Sequence, residues 1–360
     1  MSVQSDSPPT CRVATVSRYT GNPADFDVTE QPRPKLATET QVEIQVHAAS
    51  LNPIDYKRAE GMLSIALPEK FPLRLGYDLA GTVLRVGSEV KRFKQGDRVY
   101  GRVHSEHAGA IAEVAVAEEA VLARIPDSVS FNVAASVPLA GLTALQSLEA
   151  AGLKSGQTVF VTGGMGGVGM FAVALSKLHF KAAEVITTVS TAKVERVREM
   201  GAMRVVDYTK EDYTAVLENA ADVVFDTVGD SMIYKVAKPQ GSVVSVAMLP
   251  DGNALEHFRQ KDVPLSLFGG FKFALAKRIV SLAGWVATRG FRSKGQRYSY
   301  VVMEPNGQML ESVFNPLLES EQLKPAIANV YRFDRKGVQD AFKESRDGHA
   351  AGKIIICVRD

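Results

Sequence analysis

The sequence has few cysteines, little net charge and no long apolar run, and each shortage excludes a class of protein. Of the 360 residues only two are cysteines, Cys11 and Cys357, at opposite ends of the chain. They cannot form a disulfide framework or a zinc lobe, which suits a reducing compartment. The six histidines are scattered without partners in the order of metal ligands, so we expect no bound metal. Because no apolar run is long enough to span a bilayer and the N-terminus resembles no secretion or import signal, we expect a cytoplasmic protein.

The formal net charge of +2 gives the whole chain no strong attraction to nucleic acid or to anionic membranes. One stretch departs from this balance, since residues 259–297 hold nine lysines or arginines and one acid. Five apolar side chains of the stretch share one helical stripe: Phe271, Leu275, Ile279, Leu282 and Val286. A basic amphipathic helix of this kind can lie on an anionic membrane. We favour packing onto a sheet with the charges in water, because the stretch falls inside the expected nucleotide-binding domain.

The composition is that of an ordinary globular protein, and the length suffices for two domains, each with its own core. The segment before residue 41 is polar and we expect it to be mobile. From there to residue 133, short strands alternate with glycines, which predicts a β-rich, partly barrel-like domain. From residue 134 onward strands alternate with helices. That pattern predicts a parallel sheet covered by helices on both faces.

Residues 158–178 read as a strand, a tight glycine turn and a helix. Similar turns occur in methyltransferases and flavoproteins, and some only make a tight bend, but a turn at the first strand of an alternating region is where such folds bind dinucleotides. The glycines would permit an unusual backbone angle, close approach of a pyrophosphate and close packing of helix on strand. The predicted pyrophosphate site, with G-x-G-x-x-G spacing, comprises Gly164, Gly166, Gly167, Val168 and Gly169.

The end of the next strand, near residue 190, indicates which dinucleotide is bound. NAD enzymes place a carboxylate there to bind the ribose hydroxyls. This chain instead has Ser190, Thr191 and Lys193, and such groups bind a 2′-phosphate that a carboxylate would repel. We therefore expect NADPH, although Lys193 could also be a solvated helix residue. Val228 and Met248 end later strands and are expected at the same sheet edge.

Several separated stretches carry a family resemblance: residues 51–57 (LNPIDYK), 75–83 (LGYDLAGTV), 96–101 (GDRVYG), the glycine turn and 351–355 (AGKII). Together they resemble the medium-chain dehydrogenase/reductase superfamily and, within it, the zinc-free quinone oxidoreductase group that includes zeta-crystallin. The resemblance covers nearly the whole chain. It implies a Rossmann-type doubly wound parallel sheet at residues 134–316 and a β-rich GroES-like catalytic domain formed by residues 1–133 and 317–360. It also implies a homodimer and a contact of Tyr208 with the 2′-phosphate.

Zinc alcohol dehydrogenases of this superfamily carry Gly-His-Glu where this chain has Gly-Tyr-Asp at 76–78, and a catalytic cysteine near the place of Asn52. Because thiolate and imidazole ligands are missing there, zinc-assisted alcohol oxidation is not expected. Hydride transfer then needs hydrogen-bond donors for the charge that develops on the substrate oxygen. Asn52 and Lys57 are the candidates, and Lys57 is also a candidate proton donor. The same stretch also reads as a helix start, with Asn52 as cap, Pro53 in the first turn and Asp55 near the positive end.

Tyr56 and Thr143 complete the candidate catalytic residues. Quinone reductases of the resembled group often carry a tyrosine one place after Tyr56, where this chain has Lys57, and that departure favours enone or enoyl reductases. Thr143 matches a threonine near the nicotinamide ring, and the alternative is a helix threonine bonded to its own backbone. We therefore predict a zinc-independent, NADPH-dependent reductase of quinones or related α,β-unsaturated carbonyls. The alternatives are an enoyl-thioester reductase that works with a partner synthase, and a non-enzymatic NADPH-binding protein that binds a membrane or RNA.

Overall fold

The computed structural model describes residues 9–62, 64, 69–247 and 289–359. The strands in this part of the chain are β1 Thr10–Val16, β2 Asp27–Pro32, β3 Gln41–Leu51, β4 Leu73–Arg74, β5 Asp78–Val86, β6 Arg98–Arg102, β7 Val114–Glu118, β8 Leu122–Arg124, β9 Thr158–Val161, β10 Glu184–Val189, β11 Arg204–Asp207, β12 Ala221–Asp226, β13 Ala237–Ser245, β14 Arg297–Tyr300, β15 Ile327–Arg332 and β16 Lys353–Cys357. The α-helices are α1 Pro53–Ala59, α2 Phe131–Ala135, α3 Pro138–Ala151, α4 Gly167–Leu178, α5 Val194–Glu199, α6 Tyr213–Val216, α7 Arg289–Ser293, α8 Gly307–Met309, α9 Asn315–Glu319 and α10 Arg335–Asp347. A π-helical turn, Leu310–Phe314, joins α8 to α9. None of the described helices is long and apolar enough to cross a membrane.

The chain divides into two compact units. Unit 1 comprises Met1–Leu139, Pro305–Glu321 and Pro325–Asp360. Unit 2 comprises Ala140–Glu304 and Gln322–Lys324.

Unit 1 is built on β3, whose eleven residues are almost all buried. The larger sheet has the strand order β15-β16-β3-β5-β6-β8, and β7 also pairs with β3. All its pairs are antiparallel except β15 with β16. A smaller sheet has the order β2-β1-β4. Phe26 stacks on Phe342 of α10 with ring centroids 4.3 Å apart, which fixes this helix against the N-terminal part of the unit.

Unit 2 contains a parallel sheet whose described strands follow the order β11-β10-β9-β12-β13-β14. Its central strands are buried and rich in β-branched residues, as expected for a sheet covered on both faces. The chain runs from β9 outward to β11 on one side and then returns to β12 on the other side of β9. The strand order therefore reverses between β9 and β12, and folds of this kind bind ligands outside the carboxyl ends of the strands at that point.

Three details of the fold differ from the predictions. The N-terminal segment, expected to be mobile, supplies β1 and β2 from residue 10 onward. Residues 134–139 and 305–316, which we assigned to the nucleotide-binding half, cluster with unit 1. Residues 305–316 pack closely on β8, since a Cβ added to Gly307 would lie 2.0 Å from Leu122 O, and Leu139 donates its amide to Asp78. Tyr100 Oη also donates to Leu310 O at 3.2 Å.

Candidate active site

The glycine turn connects β9 to α4 at the carboxyl edge of the parallel sheet. It is fastened to β10, because the amide of Gly163 donates to Thr188 Oγ1 and the amide of Gly164 donates to Thr188 O, both at 3.0 Å. The N-cap of α4 is Gly166, and no side chain caps the helix. The first turn of α4 therefore presents its amide groups and the positive end of the helix dipole to an anion without competition from a capping side chain.

Each glycine of the turn is needed for a different structural reason. A Cβ on Gly164 would lie 2.2 Å from Thr187 Oγ1, and one on Gly169 would lie 2.1 Å from Gly163 O, so both are required by internal packing. A Cβ on Gly166 would meet only Gly163 O, at 3.2 Å. Its missing side chain thus keeps open space beside the turn, where a pyrophosphate main-chain contact is expected. The unusual backbone angle falls on Gly163, with φ of 61°, and not on a motif glycine.

The predicted 2′-phosphate residues lie at the ends of β10 and β11, which are parallel neighbours. Thr191 is exposed, and its hydroxyl donates to Asp207 Oδ2 at 2.5 Å. Lys210 Nζ lies 3.3 Å from the same carboxylate oxygen. Hydrogen bonds, of which that from Thr191 is the strongest, hold the pKa of Asp207 well below its usual range. Tyr208, whose side chain is 57% exposed, follows directly.

Asp207 is not among the predicted residues, because the acid that selects NAD is expected at the end of β10. Its signal is an aspartate in the last position of β11, followed by Thr209, whose amide and hydroxyl both donate to it. The carboxylate therefore accepts from two hydroxyls, those of Thr191 and Thr209, and the half-buried Lys193 lies two residues after Thr191. Ser190 is half-buried as the N-cap of the 3-10 turn Thr191–Lys193.

The remaining unit 2 candidates fall at other positions. Val228 follows β12 and is 62% exposed, which suits a ligand contact at the sheet edge. Two residues earlier lies Asp226, a fully buried carboxylate that accepts from Ser245 Oγ at 2.7 Å. The sequence prediction did not include it. Thr143 lies in α3 and is 7% exposed. Met248 and most of the basic stretch lie outside the described residues.

In unit 1, Asn52 belongs to a buried polar network. Its Nδ2 donates to Asp78 Oδ2 at 2.8 Å, and its Oδ1 accepts from Lys353 Nζ at 2.5 Å. Ser50 Oγ also donates to Asp78 Oδ2, at 2.9 Å. Asn52, Asp78 and Lys353 are 2%, 0% and 3% exposed, so the ammonium and the carboxylate are paired away from water. Burial lowers the pKa of Lys353.

The network also begins α1. Asn52 is the N-cap and Pro53 opens the helix, as the helix-start interpretation predicted, and Asp55 Oδ2 accepts from the Asn52 amide at 2.8 Å. Asp55 Oδ1 accepts from the amide of Gly76 at 3.2 Å. Burial raises the pKa of Asp55 to about 7. The side-chain amide of Asn52 faces the ion pair, so its two strong bonds are made inside the unit.

The structure does not bring Lys57 and Tyr56 to this network. Lys57 is exposed on α1. Tyr56 is half-buried, packs against the core cluster that contains Phe342, and lines a small surface pocket together with Glu60 and Arg346. Of the adjacent pair, Lys57 is therefore the side chain that a dissolved substrate can reach.

Comparison with known proteins shows the family to which the chain belongs. Residues 38–127 match the alcohol dehydrogenase GroES-like domain, and residues 200–356 match the zinc-binding dehydrogenase family. A 2-methylene-furan-3-one reductase from Solanum lycopersicum is 38% identical over 88% of this chain and 72% of that protein. A chloroplastic NADPH-dependent alkenal/one oxidoreductase from Arabidopsis thaliana is 35% identical with the same coverage. The chain belongs to the medium-chain dehydrogenase/reductase superfamily.

A solved member of this superfamily has the same architecture. The quinone oxidoreductase from Coxiella burnetii aligns with a TM-score of 0.79 and 28% identity, over 97% of this chain and 100% of that one. The predicted family, its fold class of a parallel sheet with a GroES-like domain, and the prediction of an oxidoreductase are confirmed. The roles of the individual site residues stay predictions.

The zinc that gives one family model its name does not fit the residues of this dehydrogenase/reductase. Both Asp78 oxygens accept hydrogen bonds, Oδ1 from the amide of Leu139 and Oδ2 from Asn52, and an ammonium stands beside them. The phenol of Tyr77 accepts from Arg58 Nη1 at 2.7 Å. A dication would have to displace these partners and would be repelled by Lys353. Within the described ranges, no three His, Cys, Asp or Glu side chains come together as a possible metal site.

Proposed function

We propose that the protein is a zinc-independent, NADPH-dependent reductase that transfers hydride to α,β-unsaturated carbonyls and quinones. The observation that carries the proposal is the uncapped first turn of α4 behind the glycine turn, at the point where the strand order reverses. The names of the relatives add the chemistry, since two act on alkenal, alkenone or methylene-furanone substrates and a structural neighbour is a quinone oxidoreductase.

The residues of the sheet edge fit the proposed cofactor. The amides of the first turn of α4, beside Gly166 and Val168, would hold the pyrophosphate. Lys193 would hold the 2′-phosphate, with Ser190 and Tyr208 as hydrogen-bond partners. Thr191 contributes indirectly, because its hydroxyl is donated to Asp207. When bound, NADPH supplies the hydride.

Reduction of an enone also needs a proton, and α1, which begins at the buried network, carries an exposed candidate donor. Lys57 lies on α1 and carries an ammonium that can donate to the substrate after hydride arrives. Hydrogen bonds of Asn52 and Asp55 inside unit 1 fix the start of α1. We therefore assign Asn52 to positioning that helix rather than to a direct substrate contact. Tyr56 packs into the core and supports the same helix.

Stopped-flow loss of NADPH absorbance with a panel of quinones and a panel of enals and enones tests the proposal. We expect turnover with members of both panels, faster with NADPH than with NADH, and unchanged by a chelator. Activity only on acyl-thioesters would instead favour the enoyl-thioester reductase, and no turnover with any panel would contradict the proposal.

We also infer a homodimer, from the family resemblance, and a location in the cytoplasm, because the two cysteines at opposite ends of the chain suit a reducing compartment. Light scattering after gel filtration measures the assembly, and a monomer mass at micromolar concentration would contradict the first part. Microscopy of a fluorescent fusion of the full chain tests the second.

A further inference from the structure

Asp226 is a fully buried carboxylate that joins three strand ends at the carboxyl edge of the parallel sheet. It occupies the last position of β12. Its Oδ2 accepts from Ser245 Oγ at the end of β13, at 2.7 Å, and its Oδ1 accepts from Thr162 Oγ1 just after β9, at 3.2 Å. Oδ1 also accepts from the amides of residues 228, 229 and 230, at 3.2, 2.9 and 3.4 Å. One side chain therefore fixes both neighbouring strands and the loop that follows its own strand.

A second set of contacts fastens this loop to the glycine turn. The amide of Thr227 donates to Thr162 Oγ1 at 2.8 Å, and Thr227 Oγ1 donates to Thr162 O at 2.6 Å. A Cβ added to Gly163 would lie 3.0 Å from Val228 Cγ1. The loop of residues 227–230 thus packs directly on the first residue of the turn, while the Val228 side chain stays 62% exposed.

The place of this loop in the topology gives it a ligand-binding role. The strand order reverses between β9 and β12, so a crevice opens outside their carboxyl ends. The glycine turn forms the wall after β9, and residues 227–230 form the wall after β12. We propose that Asp226 is a positioning residue for the nicotinamide nucleotide, which sets the distance between the two crevice walls without touching the ligand. This inference rests on the proposed function and deepens it.

The same strand contains a matched control at its other end. Asp222 accepts from the amide of Thr158 at 2.9 Å and from Lys238 Nζ at 2.7 Å, so it ties β12 to both neighbouring strands near their amino ends. Like Asp226, Asp222 is an aspartate of β12 that bonds to both neighbouring strands. It lies at the amino edge of the sheet, opposite the crevice. A loss of binding through general weakening of the sheet would follow from either substitution, whereas a loss through the crevice wall follows only from Asp226.

The test is titration of NADPH and NADH against the free full-length protein, followed by nucleotide fluorescence, together with thermal melting. We expect Asp226→Ala to weaken both affinities by the same factor, about tenfold or more, because the loop does not lie at the predicted 2′-phosphate site. Asp222→Ala should leave both within about twofold of wild type. Asp226→Asn keeps one acceptor oxygen for the three amides and should recover most of the affinity.

If Asp226→Ala does not fold, Ser245→Ala takes its place, and we expect about threefold weakening of both nucleotides from the loss of one donor. A folded Asp226→Ala, or in its absence a folded Ser245→Ala, that binds both nucleotides like wild type would overturn the inference. Equal losses from Asp222→Ala would overturn it as well. In those cases wild type still binds NADPH and the proposed function stands, whereas wild type that binds neither nucleotide removes both.

Discussion

The two polar regions of the molecule that carry the candidate site are built in opposite ways. In unit 1, Asn52, Asp78 and Lys353 are buried and bond to one another. In unit 2, the buried Asp226 accepts from the amides of residues 228–230, and the first turn of α4 at the same sheet edge has no capping side chain. The first arrangement satisfies its hydrogen bonds internally, and the second leaves donors for a ligand. This contrast supports the proposal that unit 2 binds the nucleotide, while the unit 1 network holds the start of α1, the helix that carries the exposed Lys57.

The largest expected effect tests whether the unit 1 network is structural. Lys353→Met leaves Asp78 buried without its cation, and breaking a buried pair in this way costs about 3–5 kcal/mol of unfolding free energy. Guanidinium unfolding of the full chain measures it. Lys336→Met is the control, since Lys336 is 79% exposed in its pair with Asp340 and should not shift the midpoint. Equal midpoints for the two variants would refute the contrast between the regions.

Two glycine substitutions separate packing from ligand approach in unit 2. Gly169→Ala forces a Cβ against Gly163 O and should cost about 1–3 kcal/mol of stability. Gly166→Ala meets only a 3.2 Å contact, so we expect stability near wild type but NADPH affinity about tenfold weaker. Unfolding midpoints and nucleotide titration measure the two effects. NADPH binding by Gly166→Ala as tight as that of wild type would contradict a close approach of the pyrophosphate to Gly166.

Lys193→Ala tests the predicted 2′-phosphate contact. We expect NADPH affinity to fall about tenfold and NADH affinity to stay unchanged, because only NADPH carries the charged group. Arg198→Ala is the matched control, since Arg198 is an exposed cation on α5 that pairs with Glu195. An equal loss for both nucleotides would assign Lys193 to the shared part of the cofactor instead.

The last expected effect is a pH dependence of stability that originates in the buried network. Burial raises the pKa of Asp55 to about 7 in the folded protein, against about 3.9 in an unfolded chain. A raised carboxyl pKa gives stability that is full below about pH 4 and lost as pH rises through about 7.

Asp55→Asn should therefore flatten the decline in unfolding free energy between pH 5 and pH 8, by about 2–3 kcal/mol. Denaturant unfolding at the two pH values measures it for the variant, for wild type and for Asp340→Asn, an exposed control on α10. Parallel profiles for wild type and Asp55→Asn would contradict the buried, raised-pKa description of Asp55.

The contrast between the regions also explains what the sequence could predict. The glycine turn and the strand–helix alternation are local patterns, so they predicted the parallel sheet and its binding edge. The network of unit 1 depends on Lys353, which contacts Asn52 across 301 residues, and no spacing along the chain reveals such a pair. Asn52 was therefore interpreted as a donor to substrate when its amide is bonded inside the unit.

Two aspartates at strand ends have a recognisable position in the sequence, although the prediction did not include them. Asp207 and Asp226 each occupy the last position of a strand and are followed by residues whose amides donate back to the carboxylate. An aspartate in that position satisfies the backbone where a parallel strand ends, and it lies at the edge where ligands bind. The prediction considered an acid only at the end of β10 and therefore included neither Asp207 nor Asp226.

The central claim is that this protein moves a hydride from NADPH to a carbon of an unsaturated carbonyl. NADPH deuterated at the transferable position of the nicotinamide ring, incubated with the protein and an enone, tests it directly by mass spectrometry of the product. The predicted result is a saturated ketone that carries one deuterium on carbon from the cofactor and one hydrogen from water. A product without cofactor deuterium, or unchanged enone with wild-type protein that binds NADPH, would contradict it.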